Sequence, residues 1–473
     1  MHPYKVSSEK QSADELLKAS LTRFASVLRL WLRASVAVAL VTLAAAAPSN
    51  STTQIEKPGW QPRLLGQKQH VHGAFMELYF SEDDTLDYAD RWNLYISSFD
   101  PFGEVDVEYR MKSPGRFLDD IASWNIQVMD ETAVWPNNPD YLPSSVAGAE
   151  GIIWTSGFLM PGKTDGQLQM YDTTKDPADG PYNIASNDDG KWAYHRVIWK
   201  DMDLDGDLDA LTARFHRPLI GTTRHDLLWF ENEGTGFSEG WKEHLISSDG
   251  PDIHFDMVTL NAGGRDYNCI IAGEFFSERI SIYWTESEVD DWSDPTLVKS
   301  RIINSNVQPF DVLVEDFNRD GVLEFLVTEF RNDLGIGHVS VYEFPEDFRT
   351  DDFPHFKIAD GFLPNQVTGG QTMSPGTPKV YYPNAAYAED VAEDGMPHKP
   401  YILLSGDDDG RFYVLYPTSE DRSNWVYEKN VLIDTEDIMV GKMAHGDLDG
   451  DGYEEVIVAG YAVNQLFVFT YAP

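Results

Sequence analysis

The chain runs to 473 residues with 36 basic against 78 acidic side chains, a formal charge of −42. That balance argues against nucleic acid as a partner, and against an anionic membrane held through a basic patch. The lone cysteine, Cys269, excludes an intramolecular disulfide, so a secreted form would rely on its core and on bound metal.

The N-terminus reads as an address. Arg29 and Arg33 precede the apolar run Ala34–Ala47, which ends in small residues, the order of charged region, apolar core and cleavage zone in a secretory signal. The run is short for a spanning helix. A signal peptide over residues 1–47 and an extracellular, secreted product are expected, with an uncleaved signal-anchor as the alternative and the only route to a membrane. Asn50-Ser51-Thr52 is a glycosylation sequon beside the expected cut, the mark of a glycoprotein. Residues 48–85 carry no full repeat and are expected to supply a strand that closes a ring against Leu466–Tyr471.

From residue 86 to 473 one short strand recurs. Aligned on the last residue, its copies are Tyr95–Phe99, Trp154–Phe158, Leu211–Phe215, Ile271–Phe275, Leu326–Phe330, Leu403–Asp407 and Ile457–Tyr461, with separations of 59, 57, 60, 55, 77 and 54 residues. A second aromatic-bearing strand follows each: Val105–Arg110, Gln167–Asp172, Leu227–Glu231, Ile280–Thr285, His338–Phe344, Arg411–Tyr416 and Gln465–Tyr471. A third closes several repeats, and a fourth, such as Arg196–Lys200 or Asp311–Glu315, precedes the recurring strand. Four short strands per repeat predict an all-β, seven-bladed β-propeller. Cys269 falls in a predicted strand, as a buried, inert thiol. Two turn-rich stretches, Pro136–Ser145 and Phe362–Pro383, read as surface loops.

Three loops are built for a hard cation, which wants several oxygens at once. Asp201, Asp203, Asp205 and Asp209, then Asp316, Asn318, Asp320 and Glu324, then Asp447, Asp449, Asp451 and Glu455 occupy positions one, three, five and nine, with glycine at six. Position seven, Asp207, Val322 or Tyr453, offers its backbone carbonyl. Position twelve is Thr212, Val327 or Val458 inside an apolar run, so each is loop then strand and no EF-hand. About three Ca²⁺ sites are expected; three copies in register argue against mere acidic turns.

With these Asp-x-Asp-x-Asp-Gly loops, the aliphatic strand after them and the seven-fold period, the chain resembles the FG-GAP/VCBS repeat propellers, found in integrin α-subunit heads and many secreted proteins. The resemblance implies calcium in the intact loops, on the face opposite the usual ligand-binding surface. It also implies functions from adhesion to carbohydrate binding, with a few lyases and dehydratases. Two repeats depart from the motif: Asn261…Arg265-Asp266 has lost the ligand series, and Asp390…Asp394-Gly395 has Ala392 between its two carboxylates.

Five residues before the first loop position stand Arg196, Asp256, Asp311 and Lys442, with His195 and His254 nearby. Equivalent positions in a propeller cluster at the central channel. They form either a catalytic pocket with a carboxylate or histidine base and a cation for an acidic group, or a structural ion-pair network; the network is preferred. Serine elbow, phosphate loop and zinc signatures are absent. Asp407–Gly410 reads as an acidic hairpin turn, and the tryptophans at 199, 229, 284, 292 and 425 as inter-blade core. Glu274 and Glu329 read as solvated or hydrogen-bonded rim groups. The expected protein is thus a monomeric, secreted, calcium-binding propeller for an extracellular glycan or protein ligand. The alternative is a polysaccharide lyase or sugar dehydratase using the channel residues. A third possibility is a matrix component that takes up calcium loosely.

Overall fold

The computed structural model describes residues 58–473 apart from 101–105, 161, 187–188, 219–220, 306 and 366–371. The expected signal and the Asn50 sequon lie outside the described residues. Seven four-stranded antiparallel sheets follow one another along the chain as blades 1 to 7. Their innermost strands are Gly73–Phe80, Pro136–Leu142, Ala193–Lys200, His254–Ala262, Gln308–Glu315, Pro378–Tyr381 and Met443–Gly446. The chain is a seven-bladed β-propeller.

Burial explains why the recurring strand was so legible. Asp209–His216 and Glu324–Arg331 are buried at every position but the last, because a strand between two packed sheets is covered on both faces and reads as a near-continuous apolar run. Each pair of neighbouring blades shares an apolar cluster. Ile271, Ile282, Phe325 and Val327 join blades 4 and 5, Ile96, Met76, Ile457 and Val468 join blades 1 and 7, and comparable sets fill the other five interfaces. Cys269 is fully buried among them, and burial pushes its thiol up. Trp229, Trp284, Trp292 and Trp425 are buried as well, while Trp199 is half-buried and donates to Tyr141 O at 2.7 Å.

The ring closes through its N-terminal side. Arg63–Gln69 pairs antiparallel with Gln465–Thr470 and completes blade 7. Tyr471 OH donates to Trp60 O at 2.9 Å, tying the preceding residues to the same blade. The segment before residue 86 also supplies Gly73–Phe80, so the first blade begins ahead of the boundary that the repeat suggests.

Two loop expectations change: Phe362–Pro383 contains Pro378–Tyr381, the innermost strand of blade 6, and Phe362 ends the strand before it. Pro136–Ser145 is no loop: Pro136–Leu142 is the innermost strand of blade 2, with a register shift between Pro136 and Pro139. Proline is tolerated there because an innermost strand leaves one edge without a ladder to donate to. Of the two readings of Glu274 and Glu329, solvated or hydrogen-bonded, the second holds, and both are buried. Glu274 accepts from Arg279 Nε and from Tyr283 OH at 2.8 Å, and Glu329 accepts from Ser340 Oγ at 2.7 Å beside His338. No helix among the described residues is long and apolar enough to cross a membrane.

Candidate functional site: the cation loops and the propeller axis

The three acidic loops join the innermost strand to the next in blades 3, 5 and 7, and all lie at the same end of the ring. They share one backbone shape. Position four has positive φ in each (Leu204 67°, Arg319 61°, Gly450 82°), and so does the glycine at six (103°, 88° and 87°). A glycine at six avoids the Cβ clash of that region. The side-chain oxygens at one, three and five also share their bonds. Gly206 N, Gly321 N and Gly452 N donate to Asp201, Asp316 and Asp447 at 3.0–3.1 Å. Asp207 N, Val322 N and Tyr453 N donate to Asp205, Asp320 and Asp451 at 2.8–2.9 Å. Position three accepts the amide of position five: Asp203 from Asp205, Asn318 from Asp320, Asp449 from Asp451.

Position nine anchors the loop to its strand. Asp209, Glu324 and Glu455 accept from Met202 N, Phe317 N and Leu448 N at 2.8, 3.0 and 3.0 Å. Burial, with the loop carboxylates adding to it, pushes them up to about 6, 8 and 7. Oxygens of Asp201, Asp203 and Asp205 come within 4.8 Å of one another, as do those of Asp447, Asp449 and Glu455. Such crowding of like charge is what a bound divalent cation would relieve, so the residues fit the group.

The two repeats that depart from the motif solve the turn differently. In blade 4 the connection is a two-residue hairpin turn at Gly263 and Gly264, both at positive φ, with Asn261 Nδ2 donating to Asp266 at 2.7 Å. In blade 6 a guanidinium neutralises one of the two remaining carboxylates: Arg422 donates to both oxygens of Asp394 at 2.9 Å and to Asn318 O of the blade 5 loop at 2.6 Å.

The six channel residues do converge, and three unforeseen ones join them. Arg196 lies 3.6 Å from Asp256, and His254 lies 3.6 Å from Asp311. Lys379 of blade 6 bonds both oxygens of Glu77 of blade 1 at 2.6 and 2.7 Å, skipping the blade between them. Asp140 accepts from Val197 N at 2.8 Å and from Asn138 Nδ2 at 2.7 Å. Lys442 donates to Asn138 Oδ1 at 3.0 Å and lies 4.8 Å from the centre of the Phe75 ring. His195 and His254 are 6.1 Å apart by ring centres. Burial first, then neighbouring positive charge, holds both imidazoles neutral, far below their usual range. Burial also lowers Lys442 and raises Asp311. Glu77, Asp140 and Lys379 were missed because their strands carry no acidic loop from which to count back; a charged residue inside each apolar innermost strand was the only signal.

At the end opposite the acidic loops, the last residues of the recurring strand surround the channel mouth. Six of the seven are aromatic. Phe99 stacks on Trp135 at 4.0 Å, and Trp135 on Phe158 at 4.4 Å, while Phe215, Phe275 and Phe310 form a second apolar group. The seventh is Asp407, at φ +50°, which burial and then its neighbours Asp408 and Asp409 push well up. Asp407–Asp409 is a single helical turn joining two strands. Asp408 there accepts from Thr372 Oγ1 and Met373 N at 3.0 and 2.9 Å, pinning part of the long connection.

Fold and ring thus define a β-propeller with three acidic loops at one end and an aromatic mouth at the other. No family model and no curated protein matches the chain. Solved structures similar to it include the Dos1 propeller, at 9% identity and TM-score 0.41 over 87% of this chain and 94% of that one. A glucose dehydrogenase is similar at 10% identity and TM-score 0.38, over 71% of this chain and 96% of that one. A luciferin-regenerating enzyme is similar at 10% and 0.36, over 79% and 94%. Likenesses this distant carry no argument about activity.

Proposed function

We propose that the protein is a secreted, calcium-stabilised propeller of the FG-GAP/VCBS kind that binds an extracellular glycan or protein at its aromatic mouth. The observation that carries this reading is the pairing of charge along the axis. Lys379 is matched by Glu77 and Arg196 by Asp256, which suits a structural plug better than a base and an acid poised across a scissile bond. The repeated loop geometry supports calcium as a folding ligand, since its binding free energy adds to that of the fold. The half-buried rings of Phe75, Phe158 and Phe276 suit a sugar face or an apolar side chain.

One observation favours the lyase or dehydratase reading. His195 and His254 are held neutral by burial and carry ring nitrogens without hydrogen-bond partners among the described residues, as a general base requires. The test of both is to incubate the full chain with calcium and a panel of acidic and neutral polysaccharides. Retention on immobilised glycan without new ultraviolet-absorbing double bonds is expected. Unsaturated ends, abolished by His195→Phe or His254→Phe, would replace the binding reading with the lyase.

A further inference from the structure

We infer that the inner side of the mouth is a receptor for one carboxylate group, held by Lys442, His195 and His254; this rests on the binding reading and names its ligand chemistry. Lys442 is 7% exposed, His195 5% and His254 3%. Among the described residues, the Lys442 ammonium has no carboxylate within ion-pair reach, and its one hydrogen bond goes to the neutral amide of Asn138. An ammonium has three donors. Arg196 and Lys379 each touch a carboxylate, whereas Asp311, then Glu77 and Asp140, act on Lys442 only from a distance, which leaves its buried donors unfilled.

The imidazoles are in the same condition. All four ring nitrogens of His195 and His254 lack a hydrogen-bond partner among the described residues, whereas buried polar side chains are paired as a rule. Lys442, Arg196 and Lys379 all bear on His254 as positive charge. The nearby carboxylates are already committed. Glu77 is held by Lys379, Asp140 by Val197 N and Asn138, and Asp256 by Arg196, Met257 N and Val314 N. Two donors on Lys442 and one on each neutral imidazole are what a carboxylate accepts.

Asp311 sets the charge of the ligand. Its Oδ1 lies 3.6 Å from His254 Nδ1 and accepts from Val312 N, so one carboxylate already stands beside the histidines. A single additional negative charge is accommodated, and a dianion such as phosphate is opposed. The rings of Phe75, Phe215 and Phe310 flank the histidines at 5.9, 5.9 and 5.5 Å between centres. They offer apolar contact to the carbon skeleton that bears the carboxylate, which describes a uronic-acid chain end or a small organic acid.

The test titrates the full chain in calcium with glucuronate, acetate, glucose and inorganic phosphate, reading calorimetric heat and the histidine ring C–H resonances. Glucuronate is expected to bind once per chain, to shift two histidine resonances and to lose at least tenfold in affinity in Lys442→Met and in His195→Phe. Acetate shifting the same resonances as strongly would keep the proposal and make the carboxylate alone the determinant. Glucose or phosphate binding as tightly as glucuronate, no binding of either carboxylate, or affinity unchanged in Lys442→Met would overturn it. Retention on neutral glycan that survives Lys442→Met, without glucuronate binding, would overturn this site and leave the binding propeller standing. Glucuronate bound with no glycan or protein retained would do the reverse.

Discussion

Asp451→Ala tests whether a cation contributes to the stability of the ring. Asp451 Oδ1 accepts from Tyr453 N at 2.8 Å, and, after burial, its negative charge helps to raise the neighbouring Asp447 and Glu455 carboxyls. In chelator the substitution removes one turn hydrogen bond, about 1 kcal/mol, and relieves some like-charge repulsion, so the net loss is expected to be about 1 kcal/mol or less. In free calcium at about 100 times the dissociation constant, an occupied loop adds about 2.7 kcal/mol, all of which the variant forfeits. With an unfolding entropy of ~2 cal/mol/K per residue spread over the whole ring, that difference is a melting shift of roughly 3 °C. Scanning calorimetry of wild type and variant, each with calcium and with chelator, reads it directly. A melting difference of the same size in both conditions would refute cation binding at this loop. Asp205→Ala and Asp320→Ala repeat the test in blades 3 and 5.

Other outcomes follow from the axis and the closure. Lys379→Met or Glu77→Gln alone strands a partly buried charge and is expected to cost about 2 kcal/mol in urea denaturation, less than for a fully buried pair because both groups keep some solvent contact. The double variant should recover most of that loss, and additive losses would show that the pair is not coupled. Asp140 is raised to about 6, by burial above all. Between about pH 4, where the unfolded carboxyl ionises, and pH 6 the folded state keeps a proton that the unfolded state has lost, so stability falls as pH rises through that window. Asp140→Asn should therefore gain stability relative to wild type from pH 4 to 6 and stay level above; a constant difference across the range would rule out the raised carboxyl. Deleting residues through Gln69 removes the outermost strand of blade 7 and bares the Gln465–Thr470 edge. Loss of the cooperative melt and association through that edge are expected by calorimetry and size-exclusion chromatography, and a monomer with an unchanged melt would contradict ring closure by this strand.

Glu274 and Pro136–Leu142 show where reading stopped. Glu274 ends an apolar strand and looked like a rim group, yet Arg279, Tyr283 and the neighbouring sheet cover it. Sequence alternation tells which residues share a face and says nothing about what will cover that face. Pro136 and Pro139 disguised a strand because turn residues are also allowed on an innermost strand. Blade 6 was legible only in part: Ala392 revealed a lost ligand, but not that Arg422, distant along the chain, would take both oxygens of Asp394.

The sequence by itself determined the strand period, the number of blades and the three acidic loops. Each of these is local: doubly covered strands are continuous apolar runs, and a loop of alternating carboxylates with glycine at six has its ligands within nine residues. Six of the axial residues were legible by counting back from the loops; only the tertiary structure decided which axial groups pair and what forms the mouth. Closing the ring brings one ionisable side chain from every blade to a common line, so that Lys379 meets Glu77 and Lys442 is left beside two imidazoles. Contacts across that line join residues from blades far apart in the chain, and no periodicity along it records which of them will meet.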